Sequence, residues 1–148
     1  MARVLRSSLP DGYFHVYARG IAEVPIFPAD QDRTALLALS RKAARRHGWE
    51  ILAACAMSTH YHLVVEATRA ALSSGMQWLN SRYARAFNKR YDRFGSVFAE
   101  RFQTRVIERE DRVFDTCAYV LLNPVKAGLC DRVEDWPWSY SRFGLDVT

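Results

Sequence analysis

The segment MSTHYHLVVE, residues 57–66, alternates as an extended strand would. Successive strand side chains point to opposite faces, so His60, His62, Val64 and Glu66 share one side. Tyr61, Leu63 and Val65 take the other, core-facing side. A first strand is predicted over Gly12 to Arg19. A helix follows from Asp30 to His47, opened by acidic Asp30 and Asp32, closed by basic Arg45 and Arg46, and stopped at Gly48. Strands are expected near Trp49–Met57 and His60–Ala67. A second long helix, Ala71 to Tyr91, carries Leu72, Met76, Leu79, Tyr83 and Phe87 at helical spacing. Gln103–Glu108 reads as the last strand. The run from Arg112 to Leu122 lacks Gly and Pro and reads as a helix ended near Pro124 and Gly128. An aromatic tail with Trp136, Trp138 and Tyr140 completes the chain. This order predicts an α+β sandwich with an antiparallel sheet packed by helices.

The chain has 148 residues, one domain's worth, with no internal repeat or low-complexity linker, so a single domain over 1–148 is expected. Hydrophobic residues make up 49% and charged residues 25%, ordinary for a globular protein. A net charge of +5 and a pI near 9.4 favour a polyanionic partner. Cys55, Cys117 and Cys130 are scattered without zinc-ligand spacing, so reduced thiols are the expectation. Arg3 and Arg6 near the start are not followed by an apolar signal core, and no segment reaches membrane-spanning length, which reads as cytoplasmic.

Candidate chemistry sits in two places. Two imidazoles on one strand face make half of a divalent-metal site, although a pair of histidines on a half-exposed sheet is also a common structural feature. Downstream, Tyr119 and Asn123 lie four apart on the third helix, with Asp115 one turn earlier, so they project from one face. A phenol can serve as a nucleophile and an amide carbonyl as a hard oxygen ligand. A tyrosine on a helix is equally at home in a core, and Asn before Pro is a common helix end. The second helix adds Arg82, Arg85, Lys89 and Arg93 on one predicted stripe, followed by Phe94, Phe98, Arg101, Phe102 and Arg105. Interleaved cations and aromatics suit a single nucleic-acid strand, and equally describe a solvated face over a core.

His60-Tyr61-His62, two histidines around a hydrophobic residue, resembles the HUH motif of single-tyrosine transposases, and the nearest branch is the REP-associated tyrosine transposases. The resemblance runs through YFHVYARG (13–20) with PIF (25–27), HGWEILAACAMSTHYHLVVE (47–66) and LNSRYARAFNKRYDRFGSVFAERFQTRVIE (79–108). It continues in AYVLLNPVKAGL (118–129) and DWPWSYSRF (135–143). The chain departs from the family at Ser58-Thr59, where Pro-Asn is usual, and at Ile21-Ala22-Glu23-Val24, where an Asn-rich turn is common. The resemblance implies a ferredoxin-like (RRM-like) sheet with the histidines on a central strand and a C-terminal nucleophile helix. It implies a metal-dependent enzyme that nicks and rejoins single-stranded or hairpin DNA through a 5′-phosphotyrosine. Tyr119 would be the nucleophile, and His60, His62 and Asn123 would be ligands of Mg²⁺ or Mn²⁺. From its place on the histidine face, Glu66 would orient a histidine or act as an extra ligand, and the interleaved cations Arg82, Arg85, Lys89, Arg93, Arg101 and Arg105 would contact DNA. Some relatives build each active site from two chains and others from one, so monomer and homodimer both stay open.

Two other classes compete. A non-catalytic nucleic-acid-binding regulator of the same fold would keep the cations without chemistry. A zinc hydrolase would need a third His, Cys or well-placed Glu beside the two histidines.

Overall fold

The computed structural model describes residues 12–145; Arg3 and Arg6 lie outside them. Five strands form one antiparallel sheet: β1 (Gly12–Arg19), β2 (Glu50–Ala56), β3 (His60–Ala67), β4 (Gln103–Ile107) and β5 (Ser139–Ser141). Their spatial order is β4-β1-β3-β2-β5, so the histidine strand β3 lies at the centre. The first four strands, with helices α1 (Asp30–His47) and α2 (Arg69–Arg90) after β1 and β3, follow the expected ferredoxin-like order. Helix α3 (Val113–Lys126) comes after β4. No helix among the described residues is long and apolar enough to cross a membrane.

Strand alternation divides the molecule into two apolar layers. Phe14, Val16 and Ala18 of β1 join Tyr61, Leu63 and Val65 of β3 under α1 and α2, which contribute Leu36, Leu72, Met76, Leu79, Tyr83 and Phe87. Val64, Cys55 and Ile107 meet Val113, Cys117 and Val120 of α3 on the opposite face. α3 therefore packs on that face at Val64 and Cys55, beside the histidine end of the sheet.

Local chemistry sets the helix ends. Asp32 at the third position of α1 accepts from the Ala29 N–H at 3.1 Å, and Gly48 closes the helix with φ +77°. Buried Asp32 also pairs with Arg90 at 3.1 Å and accepts from the Tyr91 hydroxyl, tying the start of α1 to the end of α2. Thr68 caps α2 by accepting from the Ala71 N–H at 3.0 Å, so α2 starts two residues before the predicted Ala71. α2 ends at Arg90, which puts Arg93 beyond the helix. Gly75 is required on α2, because a Cβ there would lie 2.3 Å from the Trp49 indole.

One expectation is met and one corrected at the C-terminal side. α3 ends at Lys126, between Pro124 and Gly128 as expected, with Pro124 inside its last turn. The N–H groups of Ala127, Leu129 and Gly128 bond the carbonyls of Asn123, Pro124 and Val125, so the helix closes after the proline rather than before it. The strand at Gln103–Ile107 is not the last: Ser139–Ser141 pairs with β2 as a fifth. Its anchor is Trp136, nearly buried, whose indole N–H donates to the Ala56 carbonyl at 3.0 Å. The Arg33 guanidinium stacks over both Trp136 and Trp138 and reaches the Met57 carbonyl at 2.8 Å. Trp136 is thus a clamp for the tail, while Tyr140 stays exposed.

Candidate functional site

The histidine end of the α3-side face is a short aromatic and basic row. β1 contributes Tyr17, which lies across from His62, and Arg19, which lies across from His60. β4 contributes Gln103 opposite Tyr17 and Arg105 opposite His15. Because β1 alternates in step with β3, His15, Tyr17 and Arg19 fall on the histidine face. The ring centroids of His60 and His62 are 5.1 Å apart, and Tyr17 packs against both at 5.3 and 5.1 Å.

Both histidines of the motif have one ring nitrogen engaged. His62 Nδ1 lies 3.0 Å from His15 Nε2, and His60 Nδ1 lies 3.2 Å from Thr59 Oγ1. Burial opposes a charge on His62 and pushes its pKa down to about 3, with His15 and His60 adding to the effect. His15 is lowered by burial and by Arg105, and His60 by burial and by Arg19. Each neutral imidazole that donates from Nδ1 keeps a lone pair on Nε2, the form a metal ligand needs.

α3 brings the third component. Its Val113, Cys117, Val120, Leu121 and Pro124 are buried, which turns Tyr119 out of that layer to 46% exposure. The Tyr119 ring stands edge-on to His15 and His62, at centroid distances of 6.0 and 6.5 Å. The Lys126 ammonium lies 5.2 Å from the centre of the same ring. One turn on, Asn123 donates from Nδ2 to the Tyr119 carbonyl at 3.2 Å, which leaves its Oδ1 as the group able to ligate. Tyr119 and the histidines therefore meet within one chain.

Imidazole nitrogens and an amide oxygen are donor types that a six-coordinate divalent ion accepts beside water or phosphate oxygens. Nitrogen donors make Mn²⁺ the better match and Mg²⁺ the weaker one. Among the described residues no three His, Cys, Asp or Glu side chains converge as a metal set.

An open cleft of about 930 Å³ runs beside this row, walled by His15, His62 and Tyr119 and by Arg19, Arg105 and Arg112. Asp115 also lines it, one turn before Tyr119 as the helical spacing predicts. His60 and Asn123 lie outside its lining. Among the described residues Arg19, Arg105 and Arg112 form no ion pair, whereas Arg109 at the cleft edge is paired with Asp111.

The predicted cations do not form one surface. Arg82, Arg85 and Lys89 are exposed on α2, which covers the face opposite the histidines. Arg82 stacks on Trp78 of its own helix at 4.8 Å. Arg93, off the helix, bonds the Asn88 carbonyl oxygen of its side chain at 2.8 Å. Arg101 borders a separate groove with Phe14, Arg69 and Phe102. Only Arg105 shares the cleft with Tyr119. The aromatics divide likewise: Phe98 and Phe102 pack on the core, while Phe94 is 92% exposed. Glu66 is corrected too. It sits across from Tyr13 and Glu50, four residues along β3 from His62, a span of about 13 Å at strand rise.

His15, Tyr17 and Arg19 were not among the candidates read from the sequence. The signal was present as alternation in YFHVYARG, but nothing in one strand says which strand lies beside it.

Comparison with known proteins bears on the family and the fold. The family model described as "Transposase IS200 like" matches residues 8–120. A Haemophilus influenzae protein named as a REP-associated tyrosine transposase is 27% identical over 118 residues, covering 72% of this chain. The chain spans 66% of that relative's own length. The solved structure of a REP-associated tyrosine transposase bound to a REP hairpin superposes with a TM-score of 0.75 at 20% identity, covering 89% of this chain and 78% of that one. A Deinococcus radiodurans protein assigned as a transposase gives 0.55 at 16% identity, over 70% of this chain and 85% of that one. With the family model covering most of its length, including both histidines and Tyr119, the chain belongs to the IS200-like transposase family.

Proposed function

We propose that this protein cleaves and rejoins single-stranded DNA at hairpin-forming repeats, with Tyr119 as the nucleophile. The observation that carries the reading is the edge-on approach of Tyr119 to His62 and His15 at the mouth of a basic cleft. A hairpin substrate is suggested by the relative solved with a REP hairpin.

His60, His62 and Asn123 would hold the divalent ion. When bound, that ion neutralises charge on the scissile phosphate and orients it for in-line attack. The guanidinium groups of Arg19, Arg105 and Arg112, which form no ion pair among the described residues, draw the strand into the cleft through its phosphates. Tyr119 Oη forms a bond to phosphorus as the P–O3′ bond breaks. The phenol gives up its proton and the departing 3′ oxygen gains one, so nothing is oxidised or reduced. The product is a 5′-phosphotyrosine and a free 3′-hydroxyl. Attack by another 3′-hydroxyl reverses the step and joins strands without a nucleotide triphosphate. Lys126, over the Tyr119 ring, places a further positive charge beside the attacking group. Both halves of the chemistry lie in one chain, so a monomer suffices.

The test is incubation with Mn²⁺ or Mg²⁺ and hairpin DNA from repeats flanking the protein's own gene. A covalent protein–DNA band, with the nucleotide mapped by mass spectrometry to the Tyr119 peptide, is expected. Hairpin binding with no adduct under either metal would leave a DNA-binding regulator instead.

A further inference from the structure

His15 and His62 are held ring to ring. Their nitrogens Nε2 and Nδ1 lie 3.0 Å apart, their centroids 5.2 Å apart, and their planes 28° from parallel. Register explains the contact. Tyr17 pairs with His62 and His15 with Val64, so the two histidines are diagonal neighbours on one sheet face. Tyr17 packs on the same His62 ring and His62 is only 5% exposed, so its orientation is fixed by its surroundings.

A bond between two imidazole nitrogens has one donor and one acceptor, so the choice of donor decides both tautomers. If His62 donates from Nδ1, its Nε2 keeps a lone pair. If His15 donates from Nε2, the His62 proton sits on Nε2 and blocks coordination there. Resting on the metal site of the proposed function, we infer that His15 is a positioning residue, accepting the His62 Nδ1–H at Nε2 and so presenting His62 Nε2 to the cation. His15 then carries its own proton on Nδ1.

Histidine ligands as a rule donate their remote N–H to a carboxylate, a backbone carbonyl or water. Here an imidazole from the neighbouring strand takes that place; the Thr59 hydroxyl, 3.2 Å from His60 Nδ1, is the corresponding neutral neighbour of His60. A carboxylate would bring negative charge that competes with the DNA phosphate for the ion. A neutral acceptor orients the ligand and leaves the ion's charge for the phosphate.

The test uses the full chain and Mn²⁺ alone, titrated by loss of the free-ion electron paramagnetic resonance signal. His15→Phe fills the ring volume without an acceptor, whereas His15→Gln can accept through its amide oxygen. Mn²⁺ affinity is expected to fall about 10–100-fold in His15→Phe and to be largely retained in His15→Gln. Imidazole ¹⁵N spectra of the Mg²⁺-loaded wild type should place the proton on His62 Nδ1, and they decide the matter even if the Phe variant does not fold. Wild-type Mn²⁺ affinity in His15→Phe, or a proton on His62 Nε2, would overturn the inference. So would lost cleavage with unchanged Mn²⁺ affinity, which would make His15 a partner of Tyr119 rather than of the ligand. A missing DNA adduct with Mn²⁺ binding still dependent on His15 would sink the strand-cleavage reading while this one stands. No Mn²⁺ uptake by the wild type would sink both.

Discussion

Tyr119 on α3 and His62 on β3 stand with ring planes at 88° and centroids 6.5 Å apart, the phenol arriving at the histidine row from a different layer. Tyr119→Phe removes one oxygen and keeps the ring that packs there. The covalent adduct and strand cleavage should both vanish, while hairpin affinity and melting temperature stay as in wild type. Denaturing gels and a fluorescence binding titration check this, and an adduct on any other tyrosine would displace Tyr119 as the nucleophile.

The two histidines should separate binding from chemistry. His60→Ala or His62→Ala is expected to abolish cleavage with Mn²⁺ or Mg²⁺ and leave hairpin binding nearly intact. Asn123→Ala should act in the same direction but less completely, because water can replace one neutral ligand. Full cleavage by either histidine variant would remove the metal assignment.

Positive charge on the two faces should behave differently. Arg105→Ala and Arg19→Ala, in the cleft, should weaken DNA binding and lower the salt dependence by about one unit each. Arg82→Ala and Arg85→Ala, behind the sheet, should leave both almost unchanged. Affinity measured at several salt concentrations distinguishes them; a larger loss from the α2 arginines would mean that DNA wraps to the far face.

The tail strand depends on one indole. Trp136 fills the α3-side layer and holds the Ala56 carbonyl and the Arg33 guanidinium. Trp136→Ala should cost about 3–5 kcal/mol, read as a lower denaturant midpoint. The same variant should free β5, and hydrogen exchange at Ala56, whose N–H donates to the Trp138 carbonyl at 3.0 Å, should quicken.

The thiols should be quiet. Burial pushes Cys55 up to about 12 and Cys117 up to about 11, and it raises Cys130 as well. Alkylation of the folded protein near neutral pH should be slow at all three relative to an exposed thiol, Cys55 slowest, and denaturant should remove the difference. Rapid labelling of Cys55 in the folded state would contradict its placement.

What the sequence determined by itself is local. Alternation in MSTHYHLVVE put His60 and His62 on one face and Tyr61, Leu63 and Val65 in the core. Acidic starts, basic ends and Gly48 bounded α1 to the residue. Four-residue spacing put Asn123 one turn from Tyr119, and the motifs named the family that the comparisons then matched. The start of α2 was placed two residues late, because capping at Thr68 depends on side-chain geometry that residue type only suggests. What the tertiary structure decided is which faces meet. Periodicity states that Arg82, Arg85 and Lys89 share a stripe, but packing on the Leu63 side of the sheet sends that stripe away from the site. Strand register, fixed by hydrogen bonds between distant segments, brings His15, Tyr17 and Arg19 against the histidines and leaves Glu66 beyond reach. A face is a property of one element, whereas a site is a property of several, and only the packed sheet sets their mutual position.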